Sequence, residues 1–432
     1  MQGNQVVALH RGPVPTGSAA TEEHVLIIVQ NLPVPFDRRV WLECQALRAD
    51  GFAVSVVCPK GPGDPDREVL DGVSLYKYRP YPGGAGKVGF LLEYIYSFFA
   101  TGWLTAKVWR HRPITVIQAC NPPDIFWPIG LFFRAWRGTR FVFDHHDLCP
   151  ELYESRFPGA TRLPYWGLRI LERCTHGSAD LIIATNESYR RIAIERSGKD
   201  PDKVVVVRTG PDAERLRRCE ADPTLRRGRR FLVAYLGVMG PQDGVDIVLR
   251  AAEMIIHTWG RKDIAFTMIG SGDCFQELVA LRDEFELQDA LEFTGRAPDH
   301  LVEQILSTAD IGLSPDPKNP LNDLSTMNKT MEYMAFGLPV VAFDLQETRV
   351  SAGDAAIYAQ PNEVESFARA IVDLLDNKKR RHQMSILAQR RVEDQLAWSL
   401  QRRTYVDIYH HLTGVPQHEW PITNRIADTA GI

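Results

Sequence analysis

The sequence predicts an α/β protein built from two doubly wound units that face each other across a cleft. Short apolar segments alternate with longer amphipathic segments in both halves of the 432-residue chain. This alternation is typical of parallel sheets covered by helices on both faces. It stops in the polar, Arg-rich residues 211–230 and then starts again. A chain of this length is expected to form two domains.

The first half contains seven predicted strands. Residues 24–30 (HVLIIVQ) have no polar face, so this strand is expected to be buried on both sides. Residues 38–50 place Val40, Cys44 and Leu47 on one face of a helix, and a longer helix is predicted over 91–110. The other strands are predicted at 53–58, 74–78, 116–119, 141–144, 181–184 and 204–207.

The second half repeats the pattern. Strands are predicted at 231–236, 265–269, 291–294, 311–314, 340–343 and 356–358, and helices at 246–257, 276–285, 301–307 and 364–377. The predicted organisation is a flexible leader (1–22), a first domain (23–210), a linker (211–230) and a second domain (231–392). Residues 393–432 are expected to form a helix that packs back on the first domain, followed by a tail.

Composition and charge exclude several functional classes. The formal net charge of −4 argues against a general nucleic-acid binder. Seven scattered cysteines form no CxxC or CxxH pair, so we expect reduced thiols in a cytoplasmic protein. Residues 1–22 lack the apolar core of a signal peptide. No run of about 18 uncharged apolar residues, the length of a membrane-spanning helix, is present.

The stretch from Asp316 to Phe343 is the most informative part of the chain. A Pro-, Asn- and Asp-rich loop leads into a short helix that carries Lys329 and Glu332. Free N–H groups and the helix dipole make such a helix start an anion site. Lys329 would add positive charge for a diphosphate, and Glu332 could hold the hydroxyls of a ribose. A surface ion pair between Lys329 and Glu332 is the alternative.

Two glycine-containing turns follow predicted strands of the second half. GVMGPQDG (237–244) leads into a helix for which Asp243 is a candidate N-cap, and IGSGD (269–273) follows the next strand. Such turns often serve chain geometry alone. Their repetition at equivalent positions of the sheet favours phosphate binding for both.

Residues 231–380 resemble the donor domain of retaining glycosyltransferases of family 4, which have the two-domain GT-B fold. The matching segments are YLGVMGPQDGVDIVLRAA, FTMIGSGD, LEFTGRAP, ADIGLSPDP and NKTMEYMAFGLPVVAFD. In the first half, NLPVPFDRRVWLECQALRADGFAVSVVCP and DHHDLCPELY resemble the acceptor domain of bacterial exopolysaccharide and lipopolysaccharide transferases. The resemblance covers roughly residues 24–412.

The resemblance implies roles for individual residues. Glu332 matches the second glutamate of the family's E-x7-E motif, which holds the ribose. Asp37 and Arg38 match a loop that closes over the cleft on the acceptor side. His146, Asp147 and Lys329 are the implied catalytic residues. The implied donor-binding residues are Gly237, Gly240, Arg296, Ser325, Thr326, Asn328, Lys329 and Glu332.

Two departures from the family's pattern weaken any named catalytic residue. The first glutamate of E-x7-E would fall at Leu324, so that carboxylate is missing. The phosphate loop has Gln242 and Asp243 where a Lys is common. Adjacent residues of an extended segment point to opposite faces, so His145, His146 and Asp147 are not expected to bind one metal ion. A hydrogen-bonding role of His146 is favoured instead. No cofactor and no metal are expected, because helix dipoles and cations can neutralise a leaving diphosphate.

Residues 88–140 suggest contact with a membrane surface. Within 101–140, Trp103, Trp109, Trp127 and Trp136 lie among six Lys and Arg residues and one acid, Asp124. Basic residues mixed with Trp suit an anionic membrane surface. Buried tryptophans beneath a solvated basic face are an equally good interpretation.

The sequence therefore predicts a retaining glycosyltransferase that moves a sugar from a nucleotide donor, favoured to be a UDP-sugar, to a glycan or lipid-linked glycan. Its expected location is cytoplasmic, with peripheral attachment to the inner face of the membrane. A catalytically idle GT-B domain that binds a nucleotide sugar or a partner is the alternative from another class. A sugar-nucleotide epimerase shares the architecture but fits the motifs poorly.

Overall fold

The computed structural model describes residues 23–83, 87–157, 159, 161–212 and 217–414. These residues form two units, each with a central sheet that carries helices on both faces; the first sheet is parallel apart from one edge strand, and the second is fully parallel. The predicted fold class is confirmed. The predicted leader, part of the linker and the tail from residue 415 lie outside the described residues.

The sheet of the first unit has eight strands in the order β3-β4-β2-β1-β5-β6-β7-β8. They are β1 (His24–Ile28), β2 (Ala53–Pro59), β3 (Arg67–Leu70), β4 (Val73–Tyr78), β5 (Val116–Cys120), β6 (Arg140–His145), β7 (Leu181–Ala184) and β8 (Val204–Val206). The sequence did not predict β3, which pairs antiparallel with β4 at the edge of the sheet. Its four residues are mostly exposed, so they lack the apolar run by which the buried strands were found.

Six helices belong to the first unit: α1 (Arg38–Ala49), α2 (Lys87–His111), α3 (Trp127–Arg137), α4 (Cys149–Arg156), α5 (Arg162–Ser178) and α6 (Glu187–Ser197). Helices α2, α3 and α6 pack on one face of the sheet, and α5 lies against α3 and α6. Helix α1 packs on the opposite face.

The sheet of the second unit has six parallel strands in the order β11-β10-β9-β12-β13-β14. They are β9 (Phe231–Leu236), β10 (Ile264–Ile269), β11 (Leu291–Gly295), β12 (Ile311–Ser314), β13 (Val340–Phe343) and β14 (Ala356–Ala359). The helices are α7 (Val245–Glu253), α8 (Phe275–Glu284), α9 (Asp299–Thr308), α10 (Asn328–Ala335), α11 (Gln346–Ala352), α12 (Val364–Asp376), α13 (Lys378–Arg391) and α14 (Trp398–Thr413). The order reverses beside β9, where open α/β sheets bind ligands.

The last helix, α14, belongs in space to the first unit. Trp398, Tyr405 and Tyr409 are buried in the core that α1 forms with the first sheet. The chain crosses itself where α14 begins, and a Cβ added to Gly210 would lie 2.0 Å from the carbonyl oxygen of Leu396. Only a residue without a side chain permits this backbone approach.

Candidate active site between the two units

The two units meet through segments that follow the carboxyl ends of their strands. In the first unit these segments follow β1, β6 and β7, and in the second they follow β9, β11, β12 and β13. Ligands of doubly wound sheets bind at this edge. The cleft between the units therefore collects the ligand-binding edges of both sheets, and most of the predicted site residues lie along it.

Glu332, on α10, lies at the cleft and contacts the opposite unit. Its Oε1 accepts a hydrogen bond from Nη1 of Arg38 at 3.1 Å, and Nη2 of Arg38 lies 3.9 Å from Asp299. Arg38 is the first residue of α1, directly after the loop that follows β1. The two predicted residues are thus brought together from opposite sides of the cleft, although 294 positions separate them in sequence.

Lys329 lies one turn before Glu332 but is buried, with 9% of its side chain exposed. Its Nζ lies 2.5 Å from Oδ1 of Asp316 and 3.7 Å from Oδ1 of Asp243. Burial opposes the charge, but Asp316 outweighs it and holds the pKa of Lys329 well above its usual value. The alternative of a surface pair between Lys329 and Glu332 is therefore wrong. A diphosphate at Lys329 would compete with two carboxylates.

The glycine-containing turns lie beside Lys329. Cε of Lys329 would be 3.2 Å from a Cβ on Gly237, and the N–H of Gly240 donates to Oδ2 of Asp243 at 2.9 Å. The expectation that Asp243 caps α7 is wrong, because Gly244 precedes the helix and Asp243 ends a separate short turn. The carboxylate of Asp243 instead accepts a hydrogen bond from Gly240 within the turn and lies 3.7 Å from Nζ of Lys329.

The loop before α10 docks on the first unit. Leu321 is buried in the core of that unit, and Leu324 packs against it. Nδ2 of Asn186 donates to the carbonyl oxygen of Leu324 at 2.9 Å and to Oγ1 of Thr326 at 3.0 Å. The hydroxyls of Ser325 and Tyr189 lie 2.8 Å apart. Leu324, in place of the expected glutamate, is thus part of an interdomain contact.

The remaining predicted residues take different positions. Asp37 is 6% exposed and caps α1, with its Oδ1 accepting from the N–H of Val40 at 3.1 Å. The guanidinium of Arg296 stacks on the ring of Phe36 at 3.7 Å, which joins the two units at the mouth of the cleft. Asn328 is exposed at the first position of α10.

His146 is held by a buried carboxylate that the sequence did not single out. Nε2 of His146 lies 2.6 Å from Oδ2 of Asp144 and 3.1 Å from Nε of Arg39. One ring nitrogen cannot both donate and accept. We assign its hydrogen to the shorter bond with Asp144, and Nε of Arg39 then donates to the same Oδ2 at 3.2 Å. Burial opposes ionisation of Asp144, but Arg39 and His146 outweigh it and hold its pKa well below its usual range.

Asn121 fixes the backbone around His146. Its Oδ1 accepts from the N–H groups of His146 at 2.7 Å and Asp147 at 3.1 Å, and its Nδ2 donates to Oδ1 of Asp124 at 3.1 Å. Burial raises the pKa of Asp147. Arg39 and Asp144 lie next to residues that the sequence did single out, whereas Asn121 does not, and nothing in the spacing indicated that the three would form one network.

Cys120, Asp144 and His146 are the one group of potential metal ligands among the described residues, with donor atoms within 4.8 Å of one another. Asp144 is already paired with Arg39 through two hydrogen bonds. Burial raises the pKa of the Cys120 thiol well above its usual value, which opposes the thiolate form that binds metals. These donors fit an internal network better than a metal centre.

The outer surface of three neighbouring helices is apolar. We call it the apolar helix face, and its exposed members are Leu91, Leu92, Ile95, Tyr96, Phe99 and Trp103 on α2, Phe132 and Trp136 on α3, and Leu163, Trp166 and Ile170 on α5. Arg137 stacks on Trp136 at 4.0 Å, and Lys107 lies 5.4 Å above Trp103. Trp109 and Trp127 are partly buried against the core. Two of the four tryptophans therefore fit the interpretation of membrane contact, and two fit the interpretation of buried tryptophans. In the described part of the chain, no helix combines the length and the apolarity that crossing a bilayer demands.

Comparison with known proteins identifies the class. Residues 37–215 match the family described as Glycosyltransferase Family 4, and residues 230–377 match Glycosyl transferases group 1. The chain is 26% identical over 302 residues to a D-inositol 3-phosphate glycosyltransferase of Thermomonospora curvata, covering 65% of this chain and 68% of that protein. The next two such relatives are matched over 59% and 48% of their own lengths.

Solved structures share the fold at low identity. Sucrose-phosphate synthase from Thermosynechococcus elongatus has a TM-score of 0.75 at 15% identity, over 91% of this chain and 100% of that one. Anabaena HepE in complex with UDP has a TM-score of 0.63 at 15% identity, with the same two coverages. The fold, with its two facing units, is the GT-B fold. The two family matches together cover more than half of the chain, which belongs to glycosyltransferase family 4.

Proposed function

We propose that this protein transfers a sugar from a UDP-sugar to a glycan or lipid-linked glycan, with retention of the anomeric configuration. The observation that carries the proposal is the position of Glu332. Its carboxylate lies at the ligand-binding edge of the second sheet and reaches Arg38 of the opposite unit at 3.1 Å. A ribose diol would take the place of the Arg38 guanidinium. A structural neighbour, HepE, is described in complex with UDP, UDP and glucose, or UDP-glucose.

The donor assignment is tested by calorimetric titration with UDP. We expect Glu332→Ala to weaken UDP binding by about 1–3 kcal/mol, the scale of a lost hydrogen bond to a charged group. Glu365→Ala is the matched control, because Glu365 forms an exposed ion pair with Arg369 far from any proposed ligand. Equal UDP affinity in the wild-type protein and in both variants would exclude Glu332 from the donor site. A thermal-shift series with UDP-, GDP- and dTDP-sugars identifies the base.

A catalytically idle nucleotide-sugar-binding domain is the second candidate. It is favoured by Lys329, whose charge Asp316 and Asp243 already balance, and by Leu324 at the position of the missing glutamate. Hydrolysis of the UDP-sugar in the absence of an acceptor separates the two functions. A protein that binds UDP-sugars but never hydrolyses or transfers them is the idle domain.

The proposal of retention rests on the resemblance of residues 231–380 to the donor domain of retaining enzymes. A double displacement needs a carboxylate nucleophile close to the anomeric carbon, and the family position for a carboxylate near the sugar is Leu324. In a front-face reaction the leaving diphosphate takes the acceptor's proton, while Lys329 and helix N-termini stabilise its charge. His146, and Asp147 beside it, orient the sugar. His146→Ala should therefore depress turnover far more than UDP binding, and NMR of an inverted product anomer would contradict retention.

The reaction needs no metal ion in this proposal. Cations and helix N-termini of the chain meet the charge of the diphosphate. Chelation with EDTA should leave both donor hydrolysis and transfer unchanged. Loss of activity that Mg²⁺ or Mn²⁺ restores would contradict this part of the proposal.

The protein attaches to the inner face of an anionic membrane through the apolar helix face. Lys107 and Arg137 lie against its exposed tryptophans, Trp103 and Trp136, and free thiols accord with the cytoplasm. Binding to vesicles that contain anionic lipid should fall as salt rises. The double variant Phe99→Ser/Trp103→Ser should bind less at every salt concentration, whereas Ile386→Ser/Leu387→Ser, exposed on α13, should not. If the protein does not bind these vesicles even at low salt, the basic residues form a solvated face and the proposed membrane attachment is wrong.

A further inference from the structure

Two cavities open at the carboxyl ends of β1, β2 and β4, on the side of the cleft that the first unit forms. The larger, about 550 Å³, is lined by the loops after β1 and β2 and by Arg296 of the second unit. The smaller, about 160 Å³, lies next to it and is lined by Gln30, Tyr78, Tyr81, Glu93 and Tyr96 among others. Both are lined by Pro33 and Lys60. The two cavities are therefore adjacent, and we call the pair the β1–β2 groove.

The lining of the groove matches the chemistry of a saccharide. The ring of Tyr96 lies 6.3 Å from that of Tyr78 and 5.8 Å from that of Tyr81, so aromatic faces gather at one end. Nε2 of Gln30 donates to Oε1 of Glu93 at 2.9 Å, which places an amide and a carboxylate beside these rings. The C–H faces of a pyranose pack on aromatic rings, and its hydroxyls bond to amides and carboxylates. A few polar groups among aromatic ones are typical of small-molecule sites.

The two ends of the groove differ. One end reaches the cleft, because Arg296 of the second unit stacks on Phe36 at 3.7 Å and lines the larger cavity together with it. The other end meets α2, where Glu93, Tyr96 and Ser97 line the smaller cavity. The same helix exposes a stripe with a spacing of four residues, namely Leu91, Ile95, Phe99 and Trp103, which are 59%, 47%, 69% and 66% exposed. The groove thus connects the reaction cleft to an apolar surface.

We infer that the β1–β2 groove holds the acceptor, and that this acceptor is a glycolipid. The saccharide head occupies the groove with its growing end at Phe36 and Arg296, and the hydrocarbon chain follows the stripe on α2. In the transfer, the bond from the anomeric carbon to the diphosphate breaks as the acceptor hydroxyl forms the new glycosidic bond, and the hydroxyl proton goes to the diphosphate. This inference rests on the proposed transferase function. A free glycan could fill the groove but would leave the stripe uncovered.

The test uses the full chain and calorimetric titration with octyl glycosides of glucose, galactose, mannose and maltose, below their micelle concentrations, beside the methyl glycosides of the same sugars. We expect at least one octyl glycoside to bind, and the matching methyl glycoside to bind at least about tenfold more weakly, because it buries no chain. Tyr96→Ala should weaken binding of both forms at least about tenfold. Phe99→Ser should weaken the octyl form alone.

Trp136→Ala is the matched control, because Trp136 is an exposed aromatic residue of the apolar helix face on α3 rather than in the groove. It should leave octyl glycoside binding unchanged, and the melting temperatures of all variants show whether they are folded. UDP titration runs in parallel. If the protein does not bind UDP, the proposed function is wrong, whether or not the glycosides bind.

Three results would overturn the inference in a protein that binds UDP. The first is that no octyl glycoside binds. The second is that Tyr96→Ala and Trp136→Ala have equal effects, which would mean that the chain is held by the apolar surface alone. The third is that methyl and octyl glycosides bind equally, which would make the acceptor a free glycan.

Discussion

Asp124 shows how a single buried residue supports the candidate site without touching a ligand. It is 2% exposed and accepts a hydrogen bond from Nδ2 of Asn121, whose Oδ1 in turn holds the backbone of His146 and Asp147. Burial raises the pKa of Asp124 to about 7. The folded protein therefore keeps a proton on this carboxyl group at pH values where the unfolded chain has released it.

This proton makes stability depend on pH. An unfolded aspartate has a pKa of about 4, so the folded state binds the extra proton between about pH 4 and about pH 7. Stability supplied by that proton is complete below this window and is lost as the pH rises through it. Asp124→Asn keeps the oxygen that accepts from Asn121 but cannot lose a proton. We expect its free energy of unfolding to rise relative to wild type by up to about 1.4 kcal/mol per pH unit across the window.

Urea denaturation at about pH 5 and about pH 8 measures this difference. Asp246→Asn is the control, because Asp246 is half-exposed on α7 and has only a distant partner in Arg250 at 3.9 Å. Its difference from wild type should be the same at both pH values. An equally constant difference for Asp124→Asn would show that Asp124 is ionised in the folded protein.

At the scale of elements, close backbone contacts between neighbouring segments require glycine in the turns of the second unit. A Cβ on Gly270 would lie 1.8 Å from the carbonyl oxygen of Gly237, and one on Gly244 would lie 2.2 Å from that of Pro315. Gly244 also has a φ of +65°, which L side chains rarely adopt. The turn after β9 is thus packed against both its neighbour after β10 and the loop after β12.

Two substitutions separate the conformational effect from the packing effect. Gly244→Ala and Gly260→Ala both place a side chain at a positive φ, +65° and +68°, but Gly260 has open space around it. Gly260→Ala should cost about 1 kcal/mol of stability from the backbone conformation alone. Gly244→Ala should cost at least about 2 kcal/mol more, because Pro315 has to move, and it should also weaken UDP binding. Thermal unfolding and UDP titration measure both effects, and equal losses in the two variants would contradict the packing argument.

The elements that the sequence predicted best are those whose own residues show whether the element is buried. Strands such as β9 and β13 are continuous apolar runs, and a run without a polar face has to be buried wherever it lies. The edge strand β3 has no such run, so only its pairing with β4 defines it. Lys329 and Glu332 were found because a helix start after a buried strand is a general anion site. Asp316, which balances Lys329, could not be assigned because loop residues carry no periodicity that orients them.

At the scale of the whole molecule, the sequence predicted two facing units but not which residues join them. The pairs Arg38–Glu332, Phe36–Arg296 and Asn186–Leu324 each combine residues that have ordinary local roles in their own segments. Leu324 was read only as a missing glutamate. Its place in the interface depends on the relative positions of two sheets, which no local pattern contains.

Asn186 offers a way to loosen the interface without disturbing either unit. It is fully buried, and its Oδ1 caps α6 by accepting from the N–H of Tyr189 at 2.8 Å. Its Nδ2 is the group that reaches Leu324 and Thr326 across the interface. Aspartate caps helices as well as asparagine does. Asn186→Asp therefore keeps the cap but turns a donor into a carboxylate oxygen that faces the Leu324 carbonyl.

We expect Asn186→Asp to free the loop of residues 321–326 from the first unit. Hydrogen exchange of backbone amides in this loop should become at least about tenfold faster, since a buried charge faces an acceptor that it cannot pair with, while exchange in α6 should change little. Asn377→Asp is the matched control, because Asn377 caps α13 of the second unit by accepting from the N–H of Arg380 and is exposed. It should leave exchange in the loop unchanged. If both variants leave the loop equally protected, the buried leucines rather than Asn186 hold the two units together at this point. If α6 itself loses protection in Asn186→Asp, the cap has failed and the interface has not been tested alone, so Asn186→Ser, which also caps a helix but is too short to reach Leu324, then decides between the two.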